Sequence, residues 1–197
     1  FVFRNGVSSG TDMYVDGVLL ASALNTVSNQ NAGLWLGGGD TPGQYANADL
    51  DDVYVWDRAL SLDEIKALAS TRNYFDPSLL VAPVVPPLTT ICSETRQLKD
   101  TVLNLRASTG VTDQTNYGND GTYQGGMGVT DEAFLFEGVG DYINVPNVGE
   151  FASGESFTSS AWIKVTALPP FASSILVKGY GTAGQVNPWW MLLIDGA

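Results

Sequence analysis

Histidine is absent from the 197 residues and cysteine occurs once, as Cys92. Those two gaps exclude an intramolecular disulfide, a thiolate or imidazole zinc site, and every catalytic arrangement that uses histidine as general base. Basic residues are also scarce, at nine Lys+Arg against 21 Asp+Glu, for a formal net charge of −12. Such a surface repels nucleic acid phosphates and anionic membranes, so neither is an expected partner. No apolar run reaches the roughly 20 residues needed to cross a bilayer as a helix, and no basic-then-apolar leader opens the chain. Paired acids at the spacing of a glycosidase strand, Glu-x-Asp-x-Glu or its one-residue extension, are missing; Glu132, Glu137, Glu150 and Glu155 stand apart in turn-like sequence. The reading is therefore of a non-enzyme. Gly125-Gly126-Met127-Gly128 lacks a following Lys-Ser/Thr and a helix signal, and reads as a β turn rather than a phosphate loop.

What is present is short apolar segments cut by turn residues. Phe1-Val2-Phe3, Asp12 to Val15, Val18 to Leu20, Leu34 to Leu36 and Val53 to Trp56 read as strands, and Asp16-Gly17 suits the positive φ angles of a type I′ hairpin. One helix is signalled: Ser61-Leu62-Asp63-Glu64 has capping-box spacing, and Leu62, Ile65, Leu68 and Ala69 share a face. Prolines at 77, 83, 86 and 87 interrupt the apolar stretch from Leu79 to Leu88, which reads as an extended linker. Beyond it the β pattern resumes at Thr101 to Leu105, Ala133 to Phe136, Tyr142 to Val145, Ser160 to Val165, Ile175 to Lys178 and Trp189 to Ile194. Such spacing with scarcely a helix implies an antiparallel sandwich or jelly roll.

Met13-Tyr14-Val15-Asp16-Gly17 and the run from Leu50 to Ser61, closed by Glu64-Ile65, closely resemble the C-terminal half of laminin G-like domains of the concanavalin A-like jelly-roll class. Val102 to Leu105, Asp113, Tyr117 to Gly121, Phe136 to Gly138, Gly140 to Ile143, Val145-Pro146, Phe157-Thr158 and Ala161 to Lys164 resemble the N-terminal half. The implied organisation is 1–72 as one half-domain, 73–95 as linker, and 96–197 as the other half in reversed order. Two origins fit: a window from a tandem array within a larger protein, or a single circularly permuted jelly roll. Either half alone leaves strand edges and an apolar face in water, so the isolated chain is expected to close as a permutant.

The resemblance implies an extracellular or cell-surface module that binds a glycan or a matrix or surface protein, alongside neighbouring domains of the same protein. A purely structural repeat of an adhesin or filament, or an accessory domain of a glycoside hydrolase, is the alternative. It also implies a structural calcium on Asp51, with backbone carbonyls around Leu103 to Leu105 and Gly138 to Asp141, and with Asp113 and Asp141 as further ligands. Turn caps and solvated edge charges are the competing role for those carboxylates. For stacking on sugar, Trp189, Trp190, Tyr180 and Tyr45 are the candidates because they lie in or beside Gly-rich sequence, and adjacent strand residues such as Trp189 and Trp190 must face opposite ways. Trp162 and Trp35 are expected to fill the core.

Overall fold

The computed structural model describes residues 1–4, 10–23, 33–38, 45–71, 100–130, 132–146, 148, 155–168, 173–179 and 188–194, the last strand as backbone. Thirteen strands and one α-helix are placed among them. Before residue 72 come β1 (Val2–Phe3), β2 (Thr11–Val15), β3 (Val18–Ala23), β4 (Leu34–Leu36), β5 (Asn47–Trp56) and α1 (Leu62–Thr71). After residue 99 come β6 (Thr101–Leu105), β7 (Thr122–Gln124), β8 (Gly128–Val129), β9 (Phe134–Glu137), β10 (Tyr142–Val145), β11 (Phe157–Val165), β12 (Ser173–Gly179) and β13 (Pro188–Ile194).

They form two antiparallel sheets, ordered β3-β2-β1-β11-β5-β9-β8 and β13-β12-β4-β10-β7, with β6 also paired to β5. Each sheet draws strands from both sides of residues 72–99, and the linker expected at 73–95 lies outside the described residues. In the larger sheet β5 lies against β11 along nearly its whole length, while β9 and β6 sit end to end along its other edge, pairing with Asn47–Leu50 and Val53–Trp56 respectively. In the smaller sheet β4 lies between β10 and β12.

Strand alternation builds the core. Ala48, Leu50, Val53 and Val55 of β5, Leu103 and Leu105 of β6, Phe134 and Phe136 of β9 and Phe157 of β11 pack against Leu34, Leu36, Ile143, Val145, Ile175 and Leu176 of the smaller sheet. One point of contact between the layers admits only glycine: Gly37 has φ +74°, and a Cβ there would lie 2.2 Å from the Phe136 ring.

Local signals fold as their chemistry predicts. Asp16 and Gly17 take φ values of 50° and 76° and join β2 to β3 with Val15 opposite Val18. At α1 the Ser61 N–H donates to Glu64 Oε2 at 2.9 Å and the Glu64 N–H to Ser61 Oγ at 3.3 Å, completing the capping box. Ile65 and Leu68 lie over Val2, Trp56 and Leu60 in a second small core on the outer face of the larger sheet; burial of each such side chain contributes about 1.5–3 kcal/mol. Leu62, expected on the same face, is exposed, because its position at the first helical residue precedes the turn that meets the sheet. β5 begins at Asn47 rather than Val53: Asp49, Asp51 and Asp52 obscure the strand pattern, although Ala48 and Leu50 keep the inward period. β7 and β8, short and bordered by glycines, carry too little apolar pattern to be read as strands.

Candidate functional site

A groove of about 760 Å³ lies on the outer face of the larger sheet, between α1 and the segment after β6. Its floor follows from register. Val53 and Val55 point into the core, so Tyr54 between them points out; Tyr54 is paired with Ser160 on β11 and with Asn104 on β6, which places all three on one row of the outer face.

Beside that row the ladder is irregular. Between the pairs Tyr54 with Ser160 and Asp51 with Trp162, β5 advances three residues while β11 advances two. The extra residue is a bulge in which Asp52 adopts φ 48°, a conformation that aspartate tolerates better than most side chains. Asp52 and the half-buried Trp162 thereby both border the groove. Trp162 was expected in the core; the pairing that sets Ile163 against Leu50 turns it to the outer face instead. Trp35 is likewise half-buried, since Leu34 and Leu36 on either side of it take the inward positions of β4.

Arg106 follows β6 directly and leans back over the row. Its Nη2 donates to the Tyr54 hydroxyl at 2.8 Å, and its Nε lies 3.3 Å from Asp52 Oδ1. Burial pushes the Tyr54 phenol above its ordinary pKa, with the Arg106 hydrogen bond opposing that rise. Tyr54 also stacks on the buried Trp56, centroids 5.4 Å apart, so its ring is held by Trp56 and its hydroxyl by Arg106. Next to it Asn104 is only 3% exposed, and its Oδ1 accepts no hydrogen bond among the described residues. A buried amide oxygen left in this way costs about 1–3 kcal/mol. Thr11 Oγ1 and Ser159 Oγ share that condition on β2 and β11.

The carboxylates singled out in the sequence lie apart from one another and hold backbone donors. Asp51 accepts from the Ala107 N–H at 3.0 Å. The buried Asp113 accepts from the N–H groups of Asn104, Thr115 and Asn119 and from the Thr115 hydroxyl, so it satisfies the free edge of β6 where no further strand pairs. Asp141, also buried, accepts from the N–H groups of Gly126 and Glu137 and ties the turn after β7 to the one after β9. Because Glu137 pairs with Asn47, the Gly138–Asp141 turn lies about 13 Å along β5 from Asp51 at about 3.3 Å per residue. An ion shared between Asp51 and that turn does not fit this spacing, and no cluster of three potential side-chain ligands occurs among the described residues.

Of the expected sugar-stacking residues, Tyr45 is half-buried, bridges to Ser174 and packs its ring over Gly38 in the smaller sheet, away from the groove. Trp189 and Trp190 belong to β13 at the edge of that sheet; their side chains, like Tyr180 as a whole, lie outside the described residues. The groove residues Tyr54, Asp52, Asn104, Arg106 and Trp162 went unread as a site. Alternation along Val53–Trp56 was the one available signal, since it sends Tyr54 outward.

Two antiparallel sheets, a single short helix among the described residues and a polar aromatic groove define a jelly-roll module. Residues 1–66, about a third of the chain, match a laminin G family model described as the Concanavalin A-like lectin/glucanases superfamily. The match supports the laminin G-like resemblance and the all-β jelly-roll class. Domains of this type are generally non-catalytic and typically extracellular, and among the described residues no helix is long and apolar enough to cross a membrane. No curated protein and no solved structure matches the chain.

Proposed function

We propose that the chain is a non-catalytic carbohydrate-binding module of a larger secreted or surface protein, and that it contacts glycan through the outer groove of the larger sheet. At coarse level the superfamily match supports a carbohydrate-binding or adhesion role. The observation that carries the choice of site is the unmatched Asn104 Oδ1 on the β6 residue paired with Tyr54, in the groove that Asp52 and Arg106 also line. A buried acceptor beside an aromatic face is the combination that holds a sugar, whose C–H face stacks while its hydroxyls donate. The groove volume falls within the roughly 300–1,000 Å³ range of small-ligand clefts.

The test is a glycan panel followed by titration of Trp162→Ala and Tyr54→Phe beside Trp189→Ala and Trp190→Ala. Affinity lost in the first two and kept in the second pair supports the groove. The opposite pattern moves the site to β13. No binding by the intact chain leaves a structural spacer as the better description.

A further inference from the structure

β1 covers only part of each of its two neighbours. Val2 and Phe3 pair with Asp12 and Thr11 of β2 on one side and with Thr158 and Phe157 of β11 on the other. Phe1 continues that line by exchanging backbone hydrogen bonds with Ser159 at 2.9 Å. From there β2 runs on to Val15 and β11 to Val165, and among the described residues no strand lies between them. β2 pairs with β3 on its far side, and β11 pairs with β5 as far as Val165 opposite Ala48, so each keeps a backbone edge facing the gap. One missing strand sets those edges about 10 Å apart. The gap is the end of the groove walled by Met13 to Val15 and by Ser160 to Ile163.

Burial follows the same boundary. Phe157 to Ser159 are buried whereas Ser160 to Ile163 are half-buried; on β2, Thr11 and Asp12 are buried but Val15 is 50% exposed. Alternation gives the gap an apolar inner face: Met13 and Val15 follow Thr11, the partner of Phe3, and Ala161 and Ile163 lie against the main core from the β11 side. Tyr14 is on the outer side, with Leu68 of α1.

We propose that this gap accepts an extended peptide from a separate polypeptide as an added strand, in line with β1 and antiparallel to both β2 and β11. Backbone pairing supplies the affinity, and side chains at alternate positions supply the choice of sequence. The occupant carries apolar residues at those inward positions, over Met13, Val15, Ala161 and Ile163. It carries no acidic ones, because Asp16 borders the gap in a chain of net charge −12. A folded second copy does not qualify: its described strands are each paired already, and a gap flanked on both sides admits only a segment with two free edges. The apolar run from Leu79 to Leu88 does not qualify either, since Pro83, Pro86 and Pro87 lack ladder donors. The peptide lies within the sheet, on the opposite side of β11 from Tyr54 and Arg106, so this inference stands apart from the glycan reading.

The probe is a capped six-residue peptide alternating valine and threonine, titrated by calorimetry into the intact chain, with hydrogen exchange read on the complex. Binding is expected, with exchange slowed ~10-fold at the gap-facing amides within 13–15 and 160–165. N-methylation of alternate peptide amides, which keeps the side chains and removes the ladder, should weaken binding at least ~10-fold. Glutamate in place of the threonines should weaken it as well. Fusing the same six residues ahead of Phe1 should raise the melting temperature and abolish binding of the free peptide, because the gap continues β1. No binding at millimolar peptide, undiminished binding of the N-methylated form, or protection confined to other strands overturns the proposal. Protection of the same amides by a glycan, or by raising protein concentration without peptide, would give the gap to a sugar or a second copy and overturn it too.

Discussion

Replacing Gly37 by alanine tests the contact between β4's end and Phe136 of the facing sheet. The new methyl group would stand 2.2 and 2.3 Å from Cδ1 and Cε1 of Phe136, far inside van der Waals distance. Two costs add. A non-glycine residue at φ +74° is strained by about 1–2 kcal/mol, and displacing a buried aromatic ring costs about 1–3 kcal/mol of overpacking. Gly37→Ala should therefore destabilise by about 2–5 kcal/mol in urea unfolding followed by tryptophan fluorescence. Phe136→Ala removes the clashing atoms at its own cost of about 3–5 kcal/mol, and in that background the methyl should cost only the backbone share. The cycle should thus show a coupling of about 1–3 kcal/mol. Purely additive effects, within about 0.5 kcal/mol, would mean that Gly37 does not face Phe136 and that the layers meet elsewhere.

Further outcomes follow from the caps. Arg58, Ser61 and burial set the Glu64 carboxyl, the Arg58 hydrogen bonds being the largest influence, and hold it at about 2 against 4.5; its stabilisation is present above pH 4.5 and fades as pH falls toward 2. Glu64 is partly exposed, so Glu64→Gln should cost only about 1 kcal/mol at pH 7, and the two proteins' melting temperatures should converge in acid. Asp113→Asn removes acceptor capacity from four donors and should destabilise by about 1–3 kcal/mol, with faster hydrogen exchange at the Asn104 amide as the local signature. Calcium titrated into chelated protein tests Asp51 by itself. An unchanged melting temperature is expected from a carboxylate that caps Ala107, and a rise abolished by Asp51→Asn would place the ion there.

Features set by neighbouring residues were legible in advance. The Asp16-Gly17 turn and the Ser61/Glu64 capping box depend on a few adjacent side chains, and Val53 to Trp56 was readable as a strand without any sign of which of its faces is inward. The groove was not, because it depends on partners far apart in sequence. Tyr54 meets Ser160 and Asn104 only through pairings across 106 and 50 positions, and the side that Trp162 takes is decided by one extra residue at Asp52. Composition alone could not show that bulge. The competing role given to Asp51, Asp113 and Asp141, capping of backbone donors, is visible in the hydrogen bonds that each accepts, and an ion at any of them is a separate matter for the calcium titration.

Interleaving of the sheets changes what residues 72–99 mean for stability. Since β5 is flanked by β11 on one side and by β6 and β9 on the other, a strand from before residue 72 is wedged between strands from after residue 99. The covalent link then acts on this sandwich as a tether that sets local concentration. Cleavage there should leave a noncovalent complementing pair, with a melting point that depends on protein concentration. Peptides 1–71 and 100–197, made separately, should recombine through the β5 pairings with β11, β6 and β9.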